Sequence, residues 1–135
     1  MCAMHLELVT IVVYDYDGAI AYFVGTLGFT LAEDVPSTTN DGRPKRWVVV
    51  RPPGSTTGLL LARADGDHQR AAIGHQFAGR VGLFLRVDSR ERFDTLVAVL
   101  DIVTPPRDEP YGRVAVFADR WGNRWDLLAP RLATT

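Results

Sequence analysis

The sequence predicts an α+β chain made of two βαβββ halves, each a curled mixed sheet with one helix on its outer side. Three observations carry this expectation. A strand–helix–strand pattern occurs twice at an offset of 73: Asp15 and Asp88 stand at helix starts, and the apolar face Ile20, Phe23, Val24, Leu27 recurs as Phe93, Leu96, Val97, Leu100. A loop-like stretch separates the two occurrences. The chain then closes on a hairpin, Val114-Ala-Val-Phe-Ala-Asp-Arg-Trp-Gly-Asn-Arg-Trp-Asp-Leu-Leu128, with the turn chemistry of Asp119 to Asn123 at its centre. Neither half alone buries the inner face of its sheet.

Taken in order, Leu8 to Tyr14 is apolar and β-branched and reads as a strand buried on both faces. Asp15 or Asp17 caps the first helix, and Gly28 ends it in the left-handed conformation glycine tolerates. Phe29 to Val35 is the second strand. Pro36 to Lys45, with Asn40-Asp-Gly inside it, predicts a loop. Arg46 to Arg51 and Gly58 to Arg63 are the third and fourth strands around a turn at 52–57. This first module spans about 6–64. A linker at about 65–79 follows, with a short helix within Gln69 to Phe77. The second module spans about 80–129. It opens on a strand, Val81 to Val87. Asp88 and Glu91 resemble a capping box before the second helix. Ile102 to Thr104 is a short strand and Pro105 to Tyr111 a loop. Gly112 to Ala118 and Arg124 to Leu128 form the closing hairpin.

Bulk properties bound the function classes. At 135 residues and 47% hydrophobic content, the chain suits one compact domain. A formal net charge of −1 gives no electrostatic footprint for nucleic acid or an anionic membrane. The single cysteine, Cys2, excludes an internal disulfide. The first residues lack the pattern of a signal peptide, and no apolar run reaches the length of a membrane span. The expectation is a soluble, cytoplasmic protein.

The residues that carry chemistry are few. Alternation along the last strand puts Arg124, Asp126 and Leu128 on one face and Trp125 and Leu127 on the other. Asp126 is then either solvated or part of a lined cavity. Gly82, Phe84 and Arg86 share a face, so Arg86 either pairs with Asp126 or offers its planar fork to an anionic group. Trp47, Phe84, Tyr111 and Trp125 are either aromatic walls of a site or core. Glu109-Pro-Tyr111-Gly places a carboxylate and a phenol in one loop, suited to acid–base or polar contacts. His5, His68 and His75 share no metal-ligand spacing, and no serine lies in a nucleophile elbow.

Val13-Tyr-Asp15, Ala19-Ile-Ala-Tyr-Phe23, Leu27-Gly-Phe29 and Asp119-Arg-Trp-Gly-Asn-Arg-Trp-Asp-Leu-Leu128 together resemble the vicinal oxygen chelate superfamily. It includes glyoxalase I, bleomycin and fosfomycin resistance proteins and extradiol dioxygenases. Lys45-Arg-Trp-Val-Val-Val-Arg-Pro-Pro-Gly54 and Glu109-Pro-Tyr-Gly-Arg-Val-Ala-Val-Phe117 are similar to a bacterial branch described only as glyoxalase-like. The resemblance runs from about Leu8 to Leu128. It implies paired βαβββ modules whose mixed sheets curl into a cup with the helices outside, and a homodimer. Metal-using members hold a divalent ion on four inward strand positions. Carried over, those positions fall on Leu8, near Leu60, near Gly82 and on Asp126. Only the last is a donor, too few for a catalytic metal site. The resemblance therefore implies a protein of the glyoxalase and bleomycin-resistance kind that binds a small organic molecule in the cup, with no metal and no other cofactor. The alternative is a lyase or dioxygenase of the same superfamily with a noncanonical site, and only under it a divalent metal. The candidate catalytic residues are Asp126 and Glu109. The candidate substrate contacts are Arg86, Phe84, Trp47, Tyr111 and Arg124. The expected partners are a small molecule and a second copy of the chain, with no nucleic acid and no membrane.

Overall fold

Two four-stranded mixed sheets, each with its own helix, make up the protein in a computed structural model that describes residues 3–132. Cys2 lies outside the described residues. The chain divides between Ile73 and Gly74 into two compact units. In the first unit, strands β1 (Leu8–Val13), β2 (Thr30–Thr38), β3 (Pro44–Arg51) and β4 (Gly58–Arg63) lie in the order β1-β4-β3-β2. In the second, β5 (Val81–Arg86), β6 (Asp101–Glu109), β7 (Gly112–Ala118) and β8 (Arg124–Ala129) lie in the order β5-β8-β7-β6. Both sheets pair the first strand parallel to the fourth and the rest antiparallel. The internal repeat and the α+β class are therefore present at the level of strand order.

The first helix begins where expected. Asp15 is extended, and its carboxylate accepts a hydrogen bond from the Gly18 N–H, one of the donors left free at a helix start. Helix α1 (Tyr16–Ile20) then widens into a π-helical turn, Ala21–Thr26, closed by the Leu27 N–H donating to the Tyr22 carbonyl. That widening moves the buried face. Tyr16, Ala19, Phe23 and Leu27 are buried, whereas Val24 is exposed, so the expected Ile20–Val24 face is turned by about one residue. Gly28, at φ 80°, ends the segment as predicted.

In the second unit the N-cap is Ser89 rather than Asp88. Its hydroxyl accepts from the Arg92 N–H at 3.0 Å, and Glu91 is one position short of completing a capping box. Helix α3 (Arg90–Val97) keeps ordinary α geometry, and Phe93, Leu96 and Leu100 are buried as expected. The caps Asp15 and Ser89 are thus 74 apart, as are Ala19 and Phe93. Phe23 and Leu96, like Leu27 and Leu100, are 73 apart. The π turn absorbs the one extra residue of the first half.

Both expected loops after the second and sixth strands shrink to tight turns. Residues 36–38 belong to β2, and 105–109 belong to β6. These are edge strands, which leave one row of backbone groups unpaired and so admit proline and polar side chains. Pro105 and Pro106 stand where the β6–β7 ladder is interrupted, between the pairs Thr104–Val116 and Arg107–Val114. Strand β1 also lies at a sheet edge. Only its Ile11 and Val13 are buried, while Thr10 is exposed, against the expectation of burial on both faces. The linker helix, α2, is Gly66–Ala72, earlier than read, and residues 73–80 are turns.

Each unit buries one sheet face. In the first, Ile11, Val13, Val48, Val50 and Leu61 are inaccessible together with Phe23. In the second, Ala115, Phe117, Trp125 and Leu127 are buried together with Phe93 and Leu96. Full burial of each such side chain contributes roughly 1.5–3 kcal/mol. The opposite faces are only partly covered, and they carry the polar and aromatic residues considered next.

Candidate functional site

Strand register sorts the candidate residues of the second unit. Asp126 is paired with Val116 on one side and Phe84 on the other, so the three share a face opposite the buried Trp125 and Leu127. Trp125 is core: it stacks on Phe117 with ring centroids 5.6 Å apart. Arg86 is aligned with Leu128, two positions along from Asp126, and no ion pair joins Arg86 to Asp126 among the described residues. Phe84 is 65% exposed, and Arg124 and Tyr111 are exposed as well.

Glu109 is the last residue of β6 rather than part of a loop, and its carboxylate accepts from Arg107 Nε at 2.8 Å. Arg107 is the residue the sequence reading missed. Past the bulge at Pro105-Pro106, alternation turns Arg107 and Glu109 to the face of Val114, Val116 and Asp126. The Glu109 carboxylate, through its hydrogen bond, and to a lesser degree that of Asp126 favour the charged form of the Arg107 guanidinium. The second unit thus gathers two carboxylates, a phenol and a guanidinium at one end of a half-open sheet face. This grouping is suited to polar contacts or proton transfer.

Burial pushes the Asp126 carboxyl above the usual range, and the positive charge of Arg107 only partly offsets it. A carboxyl raised on folding favours the folded state while protonated. Its stabilising contribution is present below the ordinary carboxylate range and is lost as pH rises through the elevated value. Asp126→Asn is therefore expected to leave stability near pH 7 unchanged or higher, and to flatten its decline between acid and neutral pH. Urea unfolding of both proteins across that interval checks this. A clear loss of stability near neutral pH would mean that the ionised carboxylate holds the sheet together.

Trp47 belongs to the first unit. It projects from β3 on the face of Val49 and Val35, and its indole N–H donates to Glu33 at 3.2 Å. It helps to line a cavity of about 780 Å³ at the end of the sheet where β3 begins and β4 ends. Leu60 and Ala62 add apolar surface from β4. The tip of the β2–β3 hairpin and α2 frame the opening. Arg43 joins them, bonding to Asp41 within the tip and, through both guanidinium nitrogens at 2.9 and 2.8 Å, to Asp65 before α2. The volume lies within the range of small-molecule sites, roughly 300–1,000 Å³. Sequence reading gave Trp47 but not the cavity, because Lys45 and the hairpin tip lay in the presumed loop.

The four positions onto which the resemblance carries metal ligands do not fit a divalent ion. Leu8 and Leu60 lie on the less covered face of the first sheet and carry no donor atom. Gly82 carries no side chain, and the space one would occupy is filled. A Cβ there would lie 2.2 to 2.4 Å from ring carbons of Phe77. Asp126 alone offers oxygen, where about three protein ligands are needed. Among the described residues, no three His, Cys, Asp or Glu side chains are grouped closely enough to hold a metal ion. His5 pairs with Glu7 at 2.7 Å, and His68 and His75 are exposed. No helix among the described residues is long and apolar enough to cross a membrane.

Comparison with known proteins gives consistent results. Residues 5–127 match the sequence profile of the Glyoxalase/Bleomycin resistance protein/Dioxygenase superfamily. An uncharacterized protein of Shewanella frigidimarina (strain NCIMB 400) is 47% identical over 123 residues, which cover 89% of each chain. Among solved structures, UcmS2 superimposes with a TM-score of 0.73 at 28% identity, covering 94% of this chain and 98% of its own. TnmS3, an antibiotic binding protein from Streptomyces sp. CB03234, superimposes with a TM-score of 0.68 at 28% identity, covering 96% and 98%.

Proposed function

Because the chain belongs to the glyoxalase/bleomycin resistance protein/dioxygenase superfamily, we propose that it binds a small organic molecule without the metal centre its metal-using relatives employ. The observation that carries this reading is the cavity beside Trp47, walled by Leu60 and Ala62 and sized for a drug-like ligand. The likeness to an antibiotic binding protein supports it. So do the leucines and the ring-covered glycine where metal ligands would stand. An indole in the wall of the cavity offers a planar surface for a flat ring system. Under this reading the protein is cytoplasmic, and a second copy of the chain covers an exposed sheet edge.

Fluorescence titration of the purified protein with a panel of planar aromatic compounds tests this. Binding is expected to survive exhaustive chelation, and Trp47→Ala is expected to weaken it about tenfold, equivalent to about 1.4 kcal/mol. About one tightly held divalent ion per chain, with binding lost on chelation, would overturn the reading. A second reading is favoured by one observation, the Arg107–Glu109–Asp126 grouping with its raised carboxyl. It makes Asp126 and Glu109 acid–base groups of a lyase or dioxygenase, with Tyr111, Arg86, Arg124 and Phe84 as contacts. It requires turnover of a dicarbonyl or catechol that Asp126→Asn abolishes while the protein stays folded.

A further inference from the structure

We propose that the ligand of the first unit's cavity is an organic anion: a flat conjugated body bearing a carboxylate, sulfonate or phosphate, with its charge met by Lys45 and Arg63. This inference rests on the small-molecule reading above and specifies its chemistry. Five cationic side chains, Arg43, Lys45, Arg46, Arg63 and Arg70, and two carboxylates, Asp41 and Asp65, line the cavity. Both carboxylates are taken by Arg43. Arg46 is held by Asp34 at 2.7 Å and Asp17 at 2.9 Å, and Arg70 by Asp67, which is outside the lining.

Lys45 and Arg63 remain. Neither forms an ion pair with a carboxylate among the described residues. The Arg63 guanidinium donates to the Pro44 carbonyl at 3.1 Å and lies 5.0 Å from the centre of the Tyr16 ring, so neutral partners fix it, and the Asp65 carboxylate acts on it only without direct contact. A fixed guanidinium with spare N–H groups suits a planar or tetrahedral oxyanion. Lys45 lies on the same side of β3 as Trp47, two residues away, and both line the cavity. The apolar wall of Trp47, Leu60 and Ala62 and the cavity's volume exceed what a bare inorganic ion fills.

The test compares two fluorescent probes that share one aromatic body: anilinonaphthalene sulfonate, an anion, and phenylnaphthylamine, its neutral counterpart. At low ionic strength the sulfonate is expected to bind about tenfold more tightly, and the preference should shrink as salt rises, because the cations are exposed. In the double variant Lys45→Gln/Arg63→Gln, shown to be folded by its thermal transition, the ratio of the two affinities should fall to about one. Equal affinity of the parent protein for both probes, with Trp47→Ala weakening both, would overturn the anion preference and keep the binding reading. A sulfonate preference that persists in the double variant would also overturn the assignment. Failure of the parent to bind either probe would overturn the proposal together with the reading it rests on.

Discussion

Asp119→Ala is expected to cost about 4 kcal/mol of stability and to lower the melting temperature by roughly 10–15 °C. Asp119 sits in the turn between β7 and β8 and is only 5% exposed. Its carboxylate accepts four hydrogen bonds: from the backbone N–H groups of Trp121 and Asn123, from Asn123 Nδ2, and from the indole N–H of Trp125. Removing the acceptor strands buried donors at a cost of roughly 1–3 kcal/mol each before relaxation. It also releases Trp125, whose ring stacks on Phe117 in the core. Burial pushes the carboxyl above its usual range while the four donors pull it down. Asp119→Asn, which must turn an NH2 toward other donors, is expected to recover less than half of the loss. Thermal and urea unfolding measure both variants. A cost below about 1 kcal/mol for the alanine would show that water replaces the carboxylate freely.

Gly74→Ala is expected to cost about 3 kcal/mol through the same turn. Gly74 has φ 77°, a left-handed conformation that strains any residue with a Cβ. A Cβ added there would lie 2.0 Å from the carbonyl oxygen of Trp121, a backbone atom that cannot swing aside. One of the two backbones must withdraw. Since Asp119 fixes the position of Trp121, the two substitutions act on one docking and should be less than additive in the double variant. Fully additive losses, or a Gly74→Ala protein as stable as the parent, would mean that the turn and the segment after α2 are not coupled.

Much of the fold was legible where local chemistry and burial agree. The closing hairpin was readable because β-branched and aromatic residues alternate around Asp119 to Asn123, and α1 because Asp15 precedes an apolar face. The errors have physical causes. Polar residues and prolines argued for loops at 36–45 and 105–111, but edge strands leave a row of backbone groups unpaired and tolerate both. A π turn has no residue signature, so the burial of Tyr16 and Ala19 in place of Ile20 and Val24 could not be foreseen. The Asp88 cap failed because Ser89, an equally good cap, follows it.

The site was legible to the same depth. The split of β8 into an Asp126 face and a Trp125 face follows from alternation alone. Arg107 was hidden by the loop reading of 105–111, since its orientation depends on the bulge at the two prolines. Asp119 looked like ordinary turn chemistry. An acid four residues before asparagine and six before tryptophan carried no sign that all three would converge. The cavity beside Trp47 needed α2 and the hairpin tip together, and no local pattern joins residues so far apart in sequence.

The aromatic ring laid over Gly82 restricts what position 82 can carry. A histidine placed at 82 would have to displace Phe77 before it could coordinate anything, and Phe77 could be shed first only by uncovering a glycine near the start of β5. Either single step is expected to lower the stability of the second unit.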